Sequence, residues 1–408
     1  MSEAVQLATG GRTEPHRPAD LAFPLIAALG IGCGVTVILI TVFNYFVDPM
    51  SADLGLSRTQ VSGGLSAHTF MLIIGLPVAG LLADRYGSRK VILVSALLYA
   101  TCFAWIARLG SSTVEFYAAF AAAGLLGAGA GPVSYARVIV QRFTTNRGLA
   151  LGVALTANGL AALILPSIIR PVVMEQGWRA GFLLLAAIVA CAGLIGGYAA
   201  GPPRLQAKSA DATESDHGGL HAAMATSTFW HMTLAFGIFA LAIAAVVAHL
   251  TEIFVALGLE ASAVPGFQAA MGLATIAGRL VGGRLMDRMS AKLVGAGAAL
   301  LGVAGFAMLA LGHAEGMVVT CAAIALGLCS GAESDVVSYL SSHYFGVRRF
   351  ARVYATQASF FMLGFGGGPL LFSVMAERLP ATTLLLAAAA LLLVSAVALG
   401  SLRPPRQP

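Results

Sequence analysis

The stretch GLLADRYGSR at residues 80–89 recurs as GRLMDRMSAK at residues 283–292, in the second half of a chain of 408 residues. Both copies carry a glycine, an aspartate four residues later and an arginine directly after that aspartate. The second copy begins 203 residues after the first, close to half the length of the chain. Repetition at this distance indicates that the two halves are copies of one structural unit.

The composition around this repeat is that of a membrane protein. Hydrophobic residues make up 58% of the chain and charged residues only 10%, and the mean hydropathy is +0.86. These values exclude an ordinary soluble domain, a disordered chain and a collagen-like chain. Because a helix needs roughly 20 apolar residues to cross about 30 Å of hydrocarbon, the chain has room for about a dozen spans.

Apolar runs between clusters of charged and turn-forming residues predict twelve membrane-spanning helices. Their predicted bounds are 21–47, 59–83, 91–107, 114–136, 149–169, 180–200, 229–255, 263–285, 293–312, 316–342, 352–376 and 381–401. We expect an all-α membrane protein with two six-helix repeats, and no cleavable signal peptide in its polar first residues. Its predicted parts are a tail at 1–20, a six-helix half at 21–200, a flexible linker at 201–228, a second six-helix half at 229–402 and a tail at 403–408.

The basic residues predict the orientation of these spans. Of 24 lysines and arginines, only Arg58, Arg108, Arg170, Arg179 and Arg378 fall on the side opposite to the N-terminal tail. This bias predicts cytoplasmic N- and C-termini and a multi-pass protein of the bacterial inner (plasma) membrane. The basic residues are dispersed between apolar runs, so nucleic acid is not an expected partner and the lipid bilayer is.

Three further correspondences support the duplication. They are Gly127 and Gly131 with Gly327 and Gly331, residues 143–147 with 345–349, and Pro166 with Pro369. The glycine pairs are typical of helices that approach a neighbour closely. Two six-span units that face each other around a cavity near the middle of the bilayer are a transporter architecture.

The loop at 80–90 resembles the signature of the major facilitator superfamily, and the resemblance covers essentially the whole chain. Several pieces are similar to the monocarboxylate transporter and oxalate/formate antiporter branch, especially its bacterial members: residues 53–58, 147–152, 177–179, 278–279 with 287–288, and 331–335 with 339–340 and 344–346. The resemblance implies the major facilitator fold and transport of a small organic anion.

Two features of this branch are absent from the chain. Thr275 stands one helical turn before Arg279, where animal monocarboxylate carriers have an aspartate. The eleventh span contains no lysine, whereas the oxalate carrier uses one there as a second cation. The resemblance therefore favours a monocarboxylate over a dicarboxylate.

The repeated loop predicts a gate between the two halves. Gly80 and Gly283 allow helices to approach closely, and each following aspartate is expected to face a helix N-terminus of the opposite half. Asp84 is expected near residues 349–352 and Asp287 near 148–149, where the helix dipole favours each contact by roughly 0.3–1 kcal/mol. The predicted gating residues are Gly80, Asp84, Arg85, Gly87, Arg89, Gly283, Asp287 and Arg288. The alternative is that the basic residues only anchor the topology.

Arg279 is the predicted binding residue for an anionic substrate. It lies about five residues, or roughly 7 Å, from the centre of the predicted eighth span. Ionisable residues at such depth are functional by default, and a guanidinium binds a carboxylate through two hydrogen bonds. The alternatives are that Arg279 extends to the lipid headgroups or pairs permanently with Asp335.

Two carboxylates at similar depth in the tenth span, Glu333 and Asp335, are predicted to couple transport to a proton. One arginine beside two carboxylates has no surplus positive charge for an anion unless a carboxylate takes a proton, and burial favours that protonation. Either residue qualifies as the proton carrier. The alternative is that one of them only braces the helix.

Three uncharged residues complete the predicted binding site. Tyr135 aligns with Asp335 within the repeat, and Asn44 and Tyr45 lie in the first span. Each can donate a hydrogen bond to a carboxylate or can satisfy itself on a neighbouring helix.

The chain is therefore predicted to be a secondary active transporter of a small monocarboxylate, moved with a proton by alternating access. The alternatives are an anion exchanger, an exporter of another metabolite or drug, and a non-transporting receptor on the same fold. The five isolated cysteines show no metal-binding spacing, and phosphate-loop and hydrolase motifs are absent. We accordingly expect no cofactor, no metal and no enzymatic activity, with a small organic anion and a proton as partners of a monomer.

Overall fold

The computed structural model describes residues 18–202, 219–312 and 316–402, and in this part the regular elements are helices. The spans are the first (Pro18–Gly32, Ile38–Val42 and Asn44–Leu54), second (Arg58–Tyr86), third (Ser88–Ile106), fourth (Thr113–Arg142), fifth (Arg147–Gln176), sixth (Trp178–Ala200), seventh (Ser227–Ala248 and Leu250–Ala256), eighth (Val264–Met286), ninth (Ala291–Leu311), tenth and eleventh (together Gly316–Ala376), and twelfth (Ala381–Gly400). The predicted all-α fold of twelve spans is confirmed.

Nine helices in the described ranges are long and apolar enough to cross a membrane. One of them, Gly316–Ala376, holds two spans, because its backbone leaves the helical conformation at Gly346. The first span falls short of the length criterion because it is broken into three helices. The eighth span is not among the nine, and it carries Arg279 of the predicted site and Arg284.

Glycines with positive φ angles separate consecutive spans. Gly87, at φ 85°, turns the chain between the second and third spans, and Gly346, at φ 75°, separates the tenth from the eleventh. Glycine is favoured at both positions because a Cβ atom strains this region of backbone conformation. The gating residue Gly87 therefore has a local structural role in the repeated loop.

The bundle has two ends, and we name the end that contains Gly87 and Asp287 the motif side and the other end the far side. The Lys292 ammonium donates a hydrogen bond of 2.7 Å to the carbonyl of Leu402, just beyond the twelfth span. The Arg142 guanidinium lies 4.4 Å from the centre of the Phe23 ring in the first span. These contacts place the outer ends of the first and last spans on the motif side.

The predicted tails and most of the predicted linker lie outside the described residues. Within the described part of the linker, Gly219–Met224 forms a short helix. Its Ala223 packs with Phe229 of the seventh span and Val353 of the eleventh. This segment is therefore docked on the second half, whereas a flexible tether was expected from the sequence.

Candidate functional site

The two halves touch where the repeated glycines lie. A Cβ atom on Gly283 would lie 2.5 Å from the carbonyl oxygen of Gly148, and one on Gly80 would lie 2.5 Å from that of Ala351. Such distances are too short for any side chain, so only glycine permits these two helix crossings. The predicted close approach is present at both equivalent positions, between the fifth and eighth spans and between the second and eleventh.

Each repeated aspartate contacts the N-terminal part of a helix in the opposite half. The Asp287 carboxylate accepts hydrogen bonds from the backbone N–H groups of Gly148 at 2.7 Å and Leu149 at 3.0 Å. The Asp84 carboxylate accepts from the backbone N–H of Arg352 at 3.2 Å and from its Nε at 2.9 Å. Both contacts agree with the predicted positions. The donors to Asp287 belong to the first turn of Arg147–Leu155, where a helix leaves N–H groups without an internal partner, whereas Arg352 is the sixth residue after the break at Gly346.

The two contacts differ in one respect that the repeat does not predict. Asp84 also accepts a hydrogen bond of 3.0 Å from Nε of Arg137, which belongs to the same half. The Asp84 side chain is only 1% exposed, so two guanidinium groups compensate one buried carboxylate. The sequence does not predict this contact of Arg137, because the equivalent position of the second half, 340, is a leucine.

Three predicted gating arginines do not join the crossing. Arg85 and Arg288 are exposed at the surface. Arg89 lies 5.3 Å from the centre of the Tyr198 ring, within its own half. The contacts between halves are thus made by the glycines and aspartates of the repeat. For these three arginines, the placement agrees better with the alternative of topological anchoring.

Further polar contacts join the halves on the motif side. Arg147 donates to the Ser342 hydroxyl at 3.2 Å, and Arg284 donates to the Asn146 side-chain oxygen at 2.9 Å. A further hydrogen bond between the two halves joins the Ser359 hydroxyl to the carbonyl of Ile73 at 2.8 Å. The structure is therefore closed on the motif side.

Arg279 and Asp335 meet in the interior of the second half. Nη1 of Arg279 lies 3.3 Å from Oδ1 of Asp335, and the two residues are 6% and 0% exposed. Gly331 makes this possible, because a Cβ atom there would lie 2.2 Å from the carbonyl oxygen of Thr275. The tenth span can therefore lie against the eighth, as its glycine pair predicts.

Glu333 belongs to the same charged cluster. It is 3% exposed, and its Oε1 has no hydrogen-bond partner among the described residues. The charges of Arg279 and Asp335 act on it directly. The structure thus assembles one cation and two carboxylates, which we call the Arg279 cluster.

Tyr354 is a further member of these surroundings that the sequence does not reveal. It lies in the eleventh span, is 6% exposed, and is close enough to interact electrostatically with all three charges of the Arg279 cluster. A tyrosine in an apolar run carries no distinguishing signal in a single sequence. Only the packing of the eleventh span against the tenth places its side chain here.

The Arg279 cluster lies at the junction between the two halves. A Cβ atom on Gly152 of the fifth span would lie 2.5 Å from the carbonyl oxygen of Arg279 and 3.2 Å from Oδ2 of Asp335. Gly152 is one helical turn inside Gly148, which contacts Asp287. The cluster is therefore covered by the first half at the crossing that closes the motif side.

The position of Tyr135 argues against its predicted role in substrate binding. Its hydroxyl is enclosed by Gly30 of the first span and Gly196 of the sixth, where added Cβ atoms would lie 2.1 and 2.2 Å away. The side chain is 1% exposed and fills the core of the first half.

Asn44 and Tyr45 begin the third helix of the first span, Asn44–Leu54. Asn44 is exposed, and Tyr45 is half-buried against the core of the first half. Both lie beyond the middle of the first span, toward the far side. Their predicted contact with a substrate stays a prediction.

Two segments that resemble the monocarboxylate transporter branch, residues 53–58 and 177–179, meet on the far side. The Asp53 carboxylate accepts hydrogen bonds from the Trp178 indole at 3.1 Å and from the Arg179 guanidinium. Asp53 is exposed and lies beyond residue 47, where the predicted first span ends, and the hydrogen bond from Arg179 lowers the pKa of its carboxyl below its ordinary value. This contact joins the helix Asn44–Leu54 to the start of the sixth span.

In the described part of the chain, no group of three histidine, cysteine or acidic side chains is placed to hold a metal.

Comparison with known proteins agrees with this architecture. The model of the Major Facilitator Superfamily matches residues 29–333. YcxA of Bacillus subtilis (strain 168), described as an uncharacterized MFS-type transporter, is 29% identical over 264 residues, which are 62% of this chain and 62% of that protein. Human monocarboxylate transporter 11 is 32% identical over 115 residues, which are 28% of this chain and 24% of that one.

The matches span less than two thirds of the length of either relative. Among solved structures, the major facilitator transporter FucP in the outward conformation superposes with a TM-score of 0.71 at 17% identity, covering 94% of this chain and 99% of the other. Together with the apolar helices, these findings show a multi-pass membrane protein. The chain belongs to the Major Facilitator Superfamily.

Proposed function

We propose that this transporter moves a small monocarboxylate together with a proton across the bacterial inner membrane. The observation that carries the proposal is the Arg279 cluster, in which a buried guanidinium and two buried carboxylates lie at the junction of the halves. The similarity to monocarboxylate transporter 11 supports the same substrate class.

The chemistry of the Arg279 cluster explains why transport would require both the substrate anion and a proton. Arg279 offers a planar fork of donors that fits a carboxylate, and Asp335 occupies part of that fork in this structure. A substrate carboxylate must displace Asp335, which then lies buried beside a second carboxylate, Glu333. Because an uncompensated buried charge is costly, Asp335 or Glu333 takes up a proton when the substrate binds. Anion and proton therefore enter as a pair.

The contacts on the motif side supply the other requirement, a gate. Asp84 and Asp287 hold helices of the opposite half, and the crossing at Asp287 covers the Arg279 cluster. We assign the motif side to the cytoplasm because most basic residues lie there, together with the outer ends of the first and last spans. Release toward the cytoplasm requires these two contacts to break, which is alternating access between two halves of a monomer.

The test is the uptake of labelled small carboxylates into vesicles that contain the purified protein. Each acid of a panel is measured with and without an inwardly directed proton gradient, and protein-free vesicles provide the background. The proposal expects uptake of one or a few monocarboxylates that the gradient enhances. Uptake that is driven only by acid preloaded inside the vesicles, and is insensitive to the gradient, would establish exchange and contradict proton coupling.

A further inference from the structure

The seventh span is interrupted at His249, close to its far-side end. The helix Ser227–Ala248 ends just before this residue and the helix Leu250–Ala256 begins just after it, with φ −114° and ψ 21° at His249 itself. On the motif side of the break, the seventh span is packed so closely on the eleventh that Gly368 has no room for a side chain against the carbonyl of Leu241. His249 therefore stands between a tightly packed helix and Leu250–Ala256, which we call the outer helix.

The side chain of His249 connects this break to the eleventh span. Its Nδ1 atom lies 3.0 Å from the carbonyl oxygen of Ala245 in its own span, and its Nε2 atom lies 2.9 Å from Oγ of Ser373 in the eleventh. The imidazole ring is stacked on the Phe372 ring, with the ring centres 4.5 Å apart. The side chain is only 14% exposed, so these contacts determine its orientation.

The hydrogen bonds around His249 are those of a protonated ring. A carbonyl oxygen only accepts, so Nδ1 must carry a hydrogen to bond to Ala245. The Ser373 hydroxyl donates its single hydrogen to the carbonyl of Pro369 at 3.0 Å, so its oxygen accepts from Nε2. An imidazole with a hydrogen on both nitrogens is a cation. A neutral ring bonds to Ser373 only if that hydroxyl turns away from Pro369, which removes one of the three hydrogen bonds.

Two neighbours favour the charged ring. Oε2 of Glu252, in the outer helix, lies 3.9 Å from Nε2, and the face of the Phe372 ring attracts a cation. Among the described residues, Glu252 is the only ionisable side chain that forms a hydrogen bond or an ion pair with His249. The other charged residues near this end of the second half are exposed and make no such contact with His249: Glu260, Glu377 and Arg378.

We propose that His249 is a proton-binding site on the far side, and that its protonation holds the outer helix against the eleventh span. The charged ring makes all three hydrogen bonds and attracts Glu252 of the outer helix, whereas the neutral ring loses one bond and this attraction. Histidine ordinarily changes its charge between about pH 5 and pH 8, so the outer helix responds to the proton concentration in that range. Protonation thereby stabilises the state observed here, which is closed on the motif side.

This site is separate from the Arg279 cluster. Glu252 is exposed at the far-side end of the seventh span, so a proton reaches the pair without crossing the closed motif side. The contacts of His249 involve no member of the Arg279 cluster. The inference therefore does not depend on the transported substrate or on the proposed proton carrier, and its test is made without substrate.

The experiment measures amide hydrogen exchange of the outer helix at a series of pH values from 5 to 8, in the full-length protein in lipid nanodiscs. Each rate is divided by that of the unstructured peptide at the same pH, which removes the chemical pH dependence of exchange. The parent is compared with His249→Gln and Glu252→Gln. The control is His231→Gln, because His231 is an exposed histidine of the same span whose Nδ1 also lies near a carbonyl oxygen, that of Ser227. Thermal unfolding verifies that every variant is folded.

The proposal expects protection of the outer helix in the parent to fall roughly fivefold or more between pH 5 and pH 8. In His249→Gln the protection should not change with pH, in Glu252→Gln it should change less than in the parent, and His231→Gln should behave as the parent. Protection that is independent of pH in the parent, a parent-like pH dependence in His249→Gln, or its loss in His231→Gln would overturn the proposal. If His249→Gln does not fold, an undiminished pH dependence in Glu252→Gln would overturn it instead.

Discussion

Arg279 is the side chain on which the proposed chemistry depends most. Its guanidinium is 6% exposed and shares the junction of the two halves with Asp335 and Glu333. A cation in this position attracts a carboxylate strongly because little water competes for it. The same burial makes its replacement informative, since no other arginine in the described residues lies in this cluster.

Replacement of Arg279 by glutamine keeps polar atoms at the position and removes the charge. A hydrogen bond to a charged group contributes about 1.5–3 kcal/mol, so we expect substrate affinity to fall roughly 10- to 150-fold. Arg279→Lys retains the charge without the fork and should show an intermediate loss. The measurement is the concentration dependence of uptake at equal amounts of inserted protein, with Arg348→Gln as control. Unchanged affinity in Arg279→Gln would exclude the assigned role.

At this scale the sequence predicts the charged residues better than the uncharged ones. The depth of Arg279, Glu333 and Asp335 in apolar spans is a signal by itself, because charge in a membrane is costly. Tyr135 was misplaced and Tyr354 was missed, since an uncharged side chain leaves no such signal and its direction depends on how each helix is rotated. That rotation is determined by packing between spans.

At the scale of helices, two glycine crossings join the halves. The fifth and eighth spans touch at Gly148 and Gly283, and the second and eleventh touch at Gly80 and Ala351. The close approach lets the aspartate one turn further along reach the opposite helix N-terminus. The sequence repeat predicts these crossings because both the glycine and the aspartate recur at one spacing.

A methyl group on Gly283 should favour the state that is open on the motif side. Overpacking costs about 1–3 kcal/mol, so in Gly283→Ala the closed state should lose roughly 5- to 150-fold in relative population. Faster hydrogen exchange at the amides of Gly148 and Leu149 would report this opening. Gly272→Ala is the matched control, because it lies in the same span with open space around the added atom. Equal exchange in both variants would contradict the crossing as a constraint.

The contact of Asp53 with Arg179 should make the far side of the first half sensitive to acid. Because this contact lowers the pKa of Asp53 in the folded chain, it stabilises the fold above the ordinary carboxyl pKa of about 3.9 and ceases to do so as the pH falls through the lowered value. Asp53→Asn should therefore lower the melting temperature modestly at neutral pH, and the difference should vanish in acid. The control Asp48→Asn breaks an exposed ion pair with Arg58 and should have no effect. A difference that grows in acid would refute this assignment.

At the scale of the molecule, two related halves meet through two equivalent contacts on one side. The twelve spans and the duplication could be predicted because hydropathy and repetition extend over many residues. The break of the first span into three helices and the docking of Gly219–Met224 could not, because both depend on contacts between distant segments. The contact of Arg137 with Asp84 could not be predicted for the same reason, because the two residues lie 53 positions apart in the chain.

The two aspartates should control the rate of conformational cycling and leave substrate affinity nearly unchanged. Asp84→Asn and Asp287→Asn keep the shape of the side chain and remove the charge that holds the opposite helix. We expect Asp84→Asn to have the larger effect, because it leaves both Arg137 and Arg352 without this carboxylate. Counterflow rates and apparent affinities, measured together, check this prediction. A loss of affinity at an unchanged rate would contradict the gating role of either residue.

The central claim, that acid and proton move together through the Arg279 cluster, is tested most directly by recording both fluxes in one preparation. Vesicles containing the protein and a trapped pH-sensitive dye receive a labelled acid from the uptake panel, and acid and proton entry are followed at the same time. We predict simultaneous entry in the parent, and a loss of the proton flux and of the pH dependence of transport in Asp335→Asn or in Glu333→Gln, whichever removes the proton carrier. Acid entry without proton entry in the parent, or the parent's pH profile in both variants, would contradict the account.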